Sequence, residues 1–374
     1  MEQSKVYFSD LRAPVGTNLL RKLEKLIRRA GIGDIDMEKK LVAIKLHFGE
    51  PGNLTYLRPN YAKVVTDVVK SLGGVPFLTD CNTLYPGRRK NALEHMEAAY
   101  ENGFSPFSTG CHVIIGDGLR GTDDVEVPVE GAEYIQTAKI GRAIMDADVF
   151  ISLTHFKGHE ATGFGGAIKN IGMGCGSRRG KMEQHNAGKP LVRQSRCVGC
   201  RRCSRECGQD AISYGEDGKA GIDQEKCVGC GRCIGACNFD AIRTPDDAAN
   251  AELNRKMAEY AKAVVQDRPQ FHISLVIDIS PYCDCHDGND TPILPDVGMF
   301  ASFDPVALDQ ACADACLKLP VMPGSLLDDR MHEEGFVDHH DHFINTTPEA
   351  EWESCLEHAE KIGLGSRSYT LITV

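Results

Sequence analysis

Cys197, Cys200, Cys203 and Cys207 recur as Cys227, Cys230, Cys233 and Cys237, each shifted by 30 residues, and an Asp-Ala-Ile follows each run at 210–212 and 240–242. Three cysteines at two-residue gaps can wrap one cubane iron–sulfur cluster, with the fourth usually reaching a neighbouring cluster. Zinc sites normally use their ligands in pairs, so two four-cysteine runs point to iron and single-electron chemistry. Just upstream lies HFKGHEATGFGGAIKNIGMGCGSRRGKMEQH (155–185), where histidines, lysines and a cysteine stand among glycines. Glycine is costly to order, so so many of them imply backbone held close against something.

In that stretch His155, His159 and His185 are candidate catalytic groups, able to shuttle protons or bind metal. Lys169 stands with them, and Lys157 and Lys169 suit an anionic group. Gly165, Gly166, Asn170 and Asp80 are candidate cofactor-binding residues. A glycine-rich turn after a strand can cradle phosphate, although neither a Rossmann nor a Walker pattern is present. CDCH at 283–286 is either a third metal site, a redox pair or two isolated reduced cysteines. Cys312 and Cys316, one helical turn apart, read as core. HHDH at 339–342 reads as a solvated loop, and Asp304 before Pro305 reads as a helix N-cap.

The elements that position these residues alternate. LVAIKLHF (41–48), VPFLTDC (75–81), HVIIGDG (112–118), DVFISLTHF (148–156), HISLVIDIS (272–280) and the final SYTLITV read as strands. Residues 61–74, 90–103, 135–147, 247–265, 304–319 and 349–362 read as helices. This predicts an α/β fold, a mostly parallel sheet with helices on both faces, plus an inserted α+β ferredoxin-like domain carrying two clusters. Such sheets bind ligands beyond the carboxyl ends of their strands. Five strand ends run into His47, Asp80 with Cys81, Asp117, His155, and Asp278 with Cys283, Cys285 and His286, which predicts a shared cleft.

The 374 residues, 42% hydrophobic and 25% charged, fit a globular protein of two domains or of one with an insertion. A net charge of −11 argues against nucleic acid as a partner. The sequence carries neither a signal-peptide pattern nor an apolar run of membrane-spanning length, so a cytoplasmic protein without a membrane partner is expected. Sixteen cysteines in a long chain then suggest metal rather than disulfides.

The cysteine-rich segment resembles a bacterial two-cluster ferredoxin. That resemblance assigns Cys197, Cys200, Cys203 and Cys237 to one [4Fe–4S] cluster and Cys227, Cys230, Cys233 and Cys207 to the other. Gly208 and Asn238 stand where that family often has proline. With HFxGHxxTGFGGAIKNIGMGC, PYCDCHDGNDTPILPD (281–296) and SFDPVALDQA (302–311), nearly the whole chain resembles the iron–sulfur "domain of unknown function 362" family. That resemblance implies an arrangement of domains and no particular reaction. His159, the GFGG at 163–166, Lys169 and His185 are also similar in order to a motif of the lactate racemase family. There the first histidine is an acid–base group, the lysine anchors a nickel-pincer nucleotide and the last histidine binds nickel. The similarity implies common ancestry and a ligand site, and nickel is not carried across from it.

The expected organisation is a first α/β part (1–187), a ferredoxin-like insertion (188–245) and a second α/β part (246–374). The expected function is electron relay through two [4Fe–4S] clusters to or from a small substrate or cofactor at the strand ends, in the manner of an oxidoreductase. A further metal or small-molecule cofactor is left open. A redox partner protein or small electron carrier is the expected partner. The alternatives are a non-catalytic electron carrier, and a racemase- or isomerase-like enzyme with structural clusters.

Overall fold

A computed structural model of the chain describes residues 3–84, 87–185, 189–207, 209–227, 233, 236, 237, 239, 241–243, 250–348 and 350–374. Its centre is an eight-stranded sheet. We number these strands β1 (Ser4–Ser9), β2 (Leu41–Lys45), β3 (Val75–Asp80), β4 (His112–Ile115), β5 (Val149–His155), β6 (Gln270–Val276), β7 (Gly298–Ser302) and β8 (Tyr369–Thr373), in the spatial order β8-β1-β7-β6-β5-β2-β3-β4. Every pairing is parallel except those of β7, which runs antiparallel to both β1 and β6. The fold is therefore α/β with a mostly parallel sheet, as the alternation predicts.

Both faces of the sheet are covered, which explains the near-continuous apolar strands. Along β5, Val149, Ile151 and Leu153 join an apolar cluster with Leu23, Leu26, Val65 and Val69, from the helices Leu19–Arg29 and Pro59–Ser71. The alternate Phe150 joins a second cluster with Ile168, Ala261, Leu308 and Leu356, from the helices Ala167–Cys175, Asn250–Val265, Pro305–Cys316 and Trp352–Lys361. Cys312 and Cys316 are fully buried in this second layer, as expected of core residues. Asp304 caps its helix by accepting from the Val306 and Ala307 amides at 2.8 and 3.0 Å.

One element departs from expectation. Residues 135–147 are not a helix: Thr137–Gly141 is a strand paired antiparallel with Asp124–Pro128, and only Arg142–Met145 is helical. Ala138 and Ile140 are buried while Thr137 and Lys139 are partly exposed, a period of two that the later Ile144 disguises as helical spacing. Strands β1 and β7, which the sequence reading leaves unassigned, complete the sheet.

Residues 155–185 are folded throughout. Lys157–His159 pairs with Gly163–Gly165, and the helices Ala167–Cys175 and Arg178–His185 follow. Their glycines make room mainly for the protein itself. A Cβ at Gly172 would collide with the Met257 carbonyl of the neighbouring helix, and one at Gly166 would collide with the Asp309 carboxylate.

The cysteine-rich segment begins and ends on paired strands, Leu191–Val192 against Ile242–Arg243, and holds a second pair, Ile212–Tyr214 against Ala220–Ile222. Cys230, Gly208 and Asn238 lie outside the described residues. No helix among the described residues is long and apolar enough to cross a membrane.

Candidate active site

Strands β2 and β5 are neighbours, yet β2 leads to β3 on one side and β5 leads to β6 on the other. This is the switch point at which open α/β sheets leave a crevice. A cavity of about 730 Å³ lies there, lined by His47, Asp80, Cys81, His155, Cys283, Cys285 and His286. Lys157, His159, Gly165, Gly166, Lys169, Asn170 and His185 line it too. Of the strand-end residues, Asp117 and Asp278 stand apart. Asp117 is buried and ties two loops together by accepting from the Asn82 amide and side chain; burial raises its pKa to about 6. Asp278 pairs with Arg58 at 3.3 Å.

The loop Cys283–His286 is held by its aspartate. Asp284 is fully buried; it meets His155 Nδ1 at 2.9 Å and Lys157 Nζ at 3.2 Å, while its carbonyl accepts from the Glu50 amide at 2.9 Å. Burial works against the carboxylate, but His155 and Lys157 outweigh it and hold its pKa well below the usual range. His155 Nε2 meets the Ile277 carbonyl at 2.8 Å, so neither ring nitrogen is left for a ligand. His155 thus positions Asp284, and Asp284 sets Cys283 and Cys285 on either side of itself.

Cys283 is buried and receives the Lys169 ammonium at 3.6 Å. A hydrogen bond from Cys285, with Lys169, His159 and Lys157 around it, lowers the Cys283 pKa well below that of a free thiol despite burial. The hydrogen bond to Cys283, together with burial, raises that of Cys285. Lys169 is itself held protonated against burial, chiefly by Cys283. His159 Nδ1 accepts from the Ala161 and Thr162 amides at 3.0 and 3.1 Å, which leaves its proton on Nε2. His286 Nε2 meets Glu160 Oε1 at 2.7 Å, and this bond raises the His286 pKa. Burial disfavours the Glu160 carboxylate, but His159 and His286 bring its pKa down to about 2.

Two further candidates turn out to be braces. Asp80 pairs with Lys45 at 3.0 Å, and Asn170 accepts from Lys45 at 2.8 Å while donating to the Lys45 and Leu153 carbonyls. Gly166 faces Asp309, whose carboxylate accepts from the Ala167 and Ile168 amides at 2.6 and 2.9 Å. That carboxylate fills the start of the helix and excludes the phosphate reading there. His185 is buried at the end of its helix and lines the cavity. Sequence reasoning passed over Glu160, Asp284, Lys45 and the buried pair Arg89–Glu50 (2.8 Å). Glu160 and Asp284 sit inside motifs already quoted. Nothing local marks the other three.

In the cysteine-rich segment, Cys197, Cys200, Cys203 and Cys237 line one small pocket with Val198, Phe239, Ala241 and Ile242. Amides point at the sulfurs: Ala220 at Cys197 (3.3 Å), Ala211 at Cys207 (3.4 Å) and Ala241 at Cys237 (3.3 Å). Ala211 and Ala241 belong to the two Asp-Ala-Ile copies, so the sequence repeat is also a repeat of sulfur-directed donors.

The fold and cavity define an α/β protein with a cavity rich in polar side chains at its topological switch point. The chain belongs to the family described as Domain of unknown function (DUF362), whose model matches residues 42–314. Among solved structures it is similar to the lactate racemase apoprotein from Thermoanaerobacterium thermosaccharolyticum, at 13% identity and a TM-score of 0.40 over 100% of this chain and 83% of that one. It is also similar to a protein from Thermotoga maritima, at 13% identity and a TM-score of 0.38 over 80% of this chain and 57% of that one. At these scores neither likeness bears on the reaction. No curated protein sequence matches the chain significantly.

Proposed function

We propose that the chain is a two-cluster iron–sulfur oxidoreductase in which single electrons reach a small anionic substrate held in the strand-end cavity. The observation that carries this reading is a direct link between the two cysteine sites. Arg89 donates to the Cys285 carbonyl at 3.4 Å, and the next residue, Lys90, donates to the Cys237 carbonyl at 3.3 Å. Leu84, from the same loop, lines the cavity and also packs in the apolar cluster of Cys203, Cys233 and Cys237.

The cysteine pocket, with amides aimed at Cys197 and Cys237, and the third amide aimed at Cys207 fit two [4Fe–4S] clusters, since N–H groups aimed at sulfur stabilise the reduced state. Cys197, Cys200, Cys203 and Cys237 would hold one cluster; Cys207, Cys227, Cys230 and Cys233 would hold the other. Bound clusters supply one-electron transfer. The residues 188–245 would then act as an inserted domain, served by a reduced protein or small carrier.

The cavity's charges support an anionic substrate. Arg89 and Lys45 are matched by Glu50 and Asp80, but Lys169 and Lys181 form no ion pair with a carboxylate among the described residues. Lys181 is spent on the Gly174 and Gly176 carbonyls, at 3.2 and 2.6 Å. Two ammonium groups with no carboxylate partner, one of them beside the Cys283 sulfur, suit an anionic ligand, and His159 lines the same cavity.

Protein purified without oxygen should contain about eight irons per chain, falling to about half in Cys203→Ser. A chain without iron, or with zinc in its place, removes the electron-transfer reading. Small carboxylates should raise the melting temperature of the wild type and not of Lys169→Ala. Equal stabilisation of both would show that the anion site is elsewhere.

A further inference from the structure

Glu160, Cys285 and His286 each bring one ligand atom within 4.8 Å of the other two. We propose that these three residues, at the mouth of the cavity, bind a single divalent transition-metal ion whose remaining coordination position faces the substrate. Thiolate and imidazole donors select zinc, iron(II), cobalt or nickel over magnesium or calcium. Three protein ligands with one open position is the arrangement of a catalytic rather than a structural site.

The donors are held from behind. The Cys283–His286 loop is closed by the His286 amide on the Cys283 carbonyl at 3.1 Å, and it is anchored by Asp284 on His155 and Lys157. Arg89 fixes the Cys285 carbonyl. His159 Nε2 lies 3.8 Å from Glu160 Oε1, with the ring oriented by two backbone amides. Such supports to metal ligands typically change affinity by about 10- to 100-fold when removed. The ion must release the Cys285 thiol proton and break the hydrogen bond between His286 and Glu160, both of them open to solvent. A dication between the resulting thiolate and the carboxylate then leaves a neutral group beside Lys169, and Cys283 remains next to it as a nearby soft donor. The site stands on its own residues, so it holds whether or not the cysteine-rich segment carries clusters.

Cobalt(II) alone, added to chelator-treated protein without oxygen, tests it. One ion per chain should bind, with sulfur-to-cobalt charge transfer in the difference spectrum. Cys285→Ser should lose that band. The half-exposed His286→Ala, which has little packing to lose, should weaken binding at least about tenfold. His340→Ala, in the separate histidine-rich loop, should change nothing. Iron measured on the wild-type, Cys285→Ser, His286→Ala and His340→Ala samples should be the same. Cobalt bound unchanged in Cys285→Ser and His286→Ala would overturn the site, and so would cobalt lost in Cys203→Ser alone, which would put the ion in the cysteine-rich segment. Wild-type protein that takes up no cobalt would overturn it as well.

Discussion

Asp309 reaches across the fold to the amides of Ala167 and Ile168, and burial raises its pKa to about 7 although both amides favour the anion. Its folded pKa therefore lies above the unfolded value of 3.8. The stability it contributes is complete below that unfolded value and is lost as pH rises through about 7. Wild-type stability should fall by a few kcal/mol, at most about 4, between roughly pH 4 and 7 through this group. Denaturant melts over that range should show the slope, and Asp309→Asn should flatten it. An unchanged slope in the variant would assign the pH dependence to other groups, Asp117 first among them. The cavity histidines and cysteines were legible because strand ends and short motifs announce them. Asp309, Lys45 and the Arg89–Glu50 pair were not, because each acquires its partner from a remote part of the chain.

Among the elements, the helix Ala167–Cys175 carries the candidate lysine and depends on its neighbour for position. It meets Asn250–Val265 closely because Gly172 has no Cβ to strike Met257. Gly172→Ala must push the helices apart, which should cost about 1–3 kcal/mol in chemical denaturation and displace Lys169 from Cys283. A variant as stable as wild type would mean that the helices shift without strain. The glycine richness was plain in the sequence, but its purpose was not: glycine that admits a ligand and glycine that admits a helix leave the same trace. The misread segment 135–147 teaches a related lesson. Its strand forms because Asp124–Pro128 is there to pair with, and a partner strand is invisible to a count of apolar spacing.

At the scale of the whole molecule, the sheet was legible because doubly covered strands are continuous apolar runs. Its one reversed strand was not, because Gly298–Ser302 resembles any short apolar stretch. If the cysteine-rich segment takes its stability from bound iron, removing the iron should loosen that segment and little else. Hydrogen exchange after chelation should rise across 197–242 and stay low in β5 and β6. Loosening throughout the sheet would contradict a separate insertion.

Leu191–Val192 and Ile242–Arg243 lie side by side, so the two ends of the cysteine-bearing segment stand one strand spacing apart, about 5 Å. A two-residue turn bridges such a gap. A plain turn could therefore close this gap in place of the whole cysteine-bearing segment. The cavity would keep its shape in chains that differ only in whether they carry that segment.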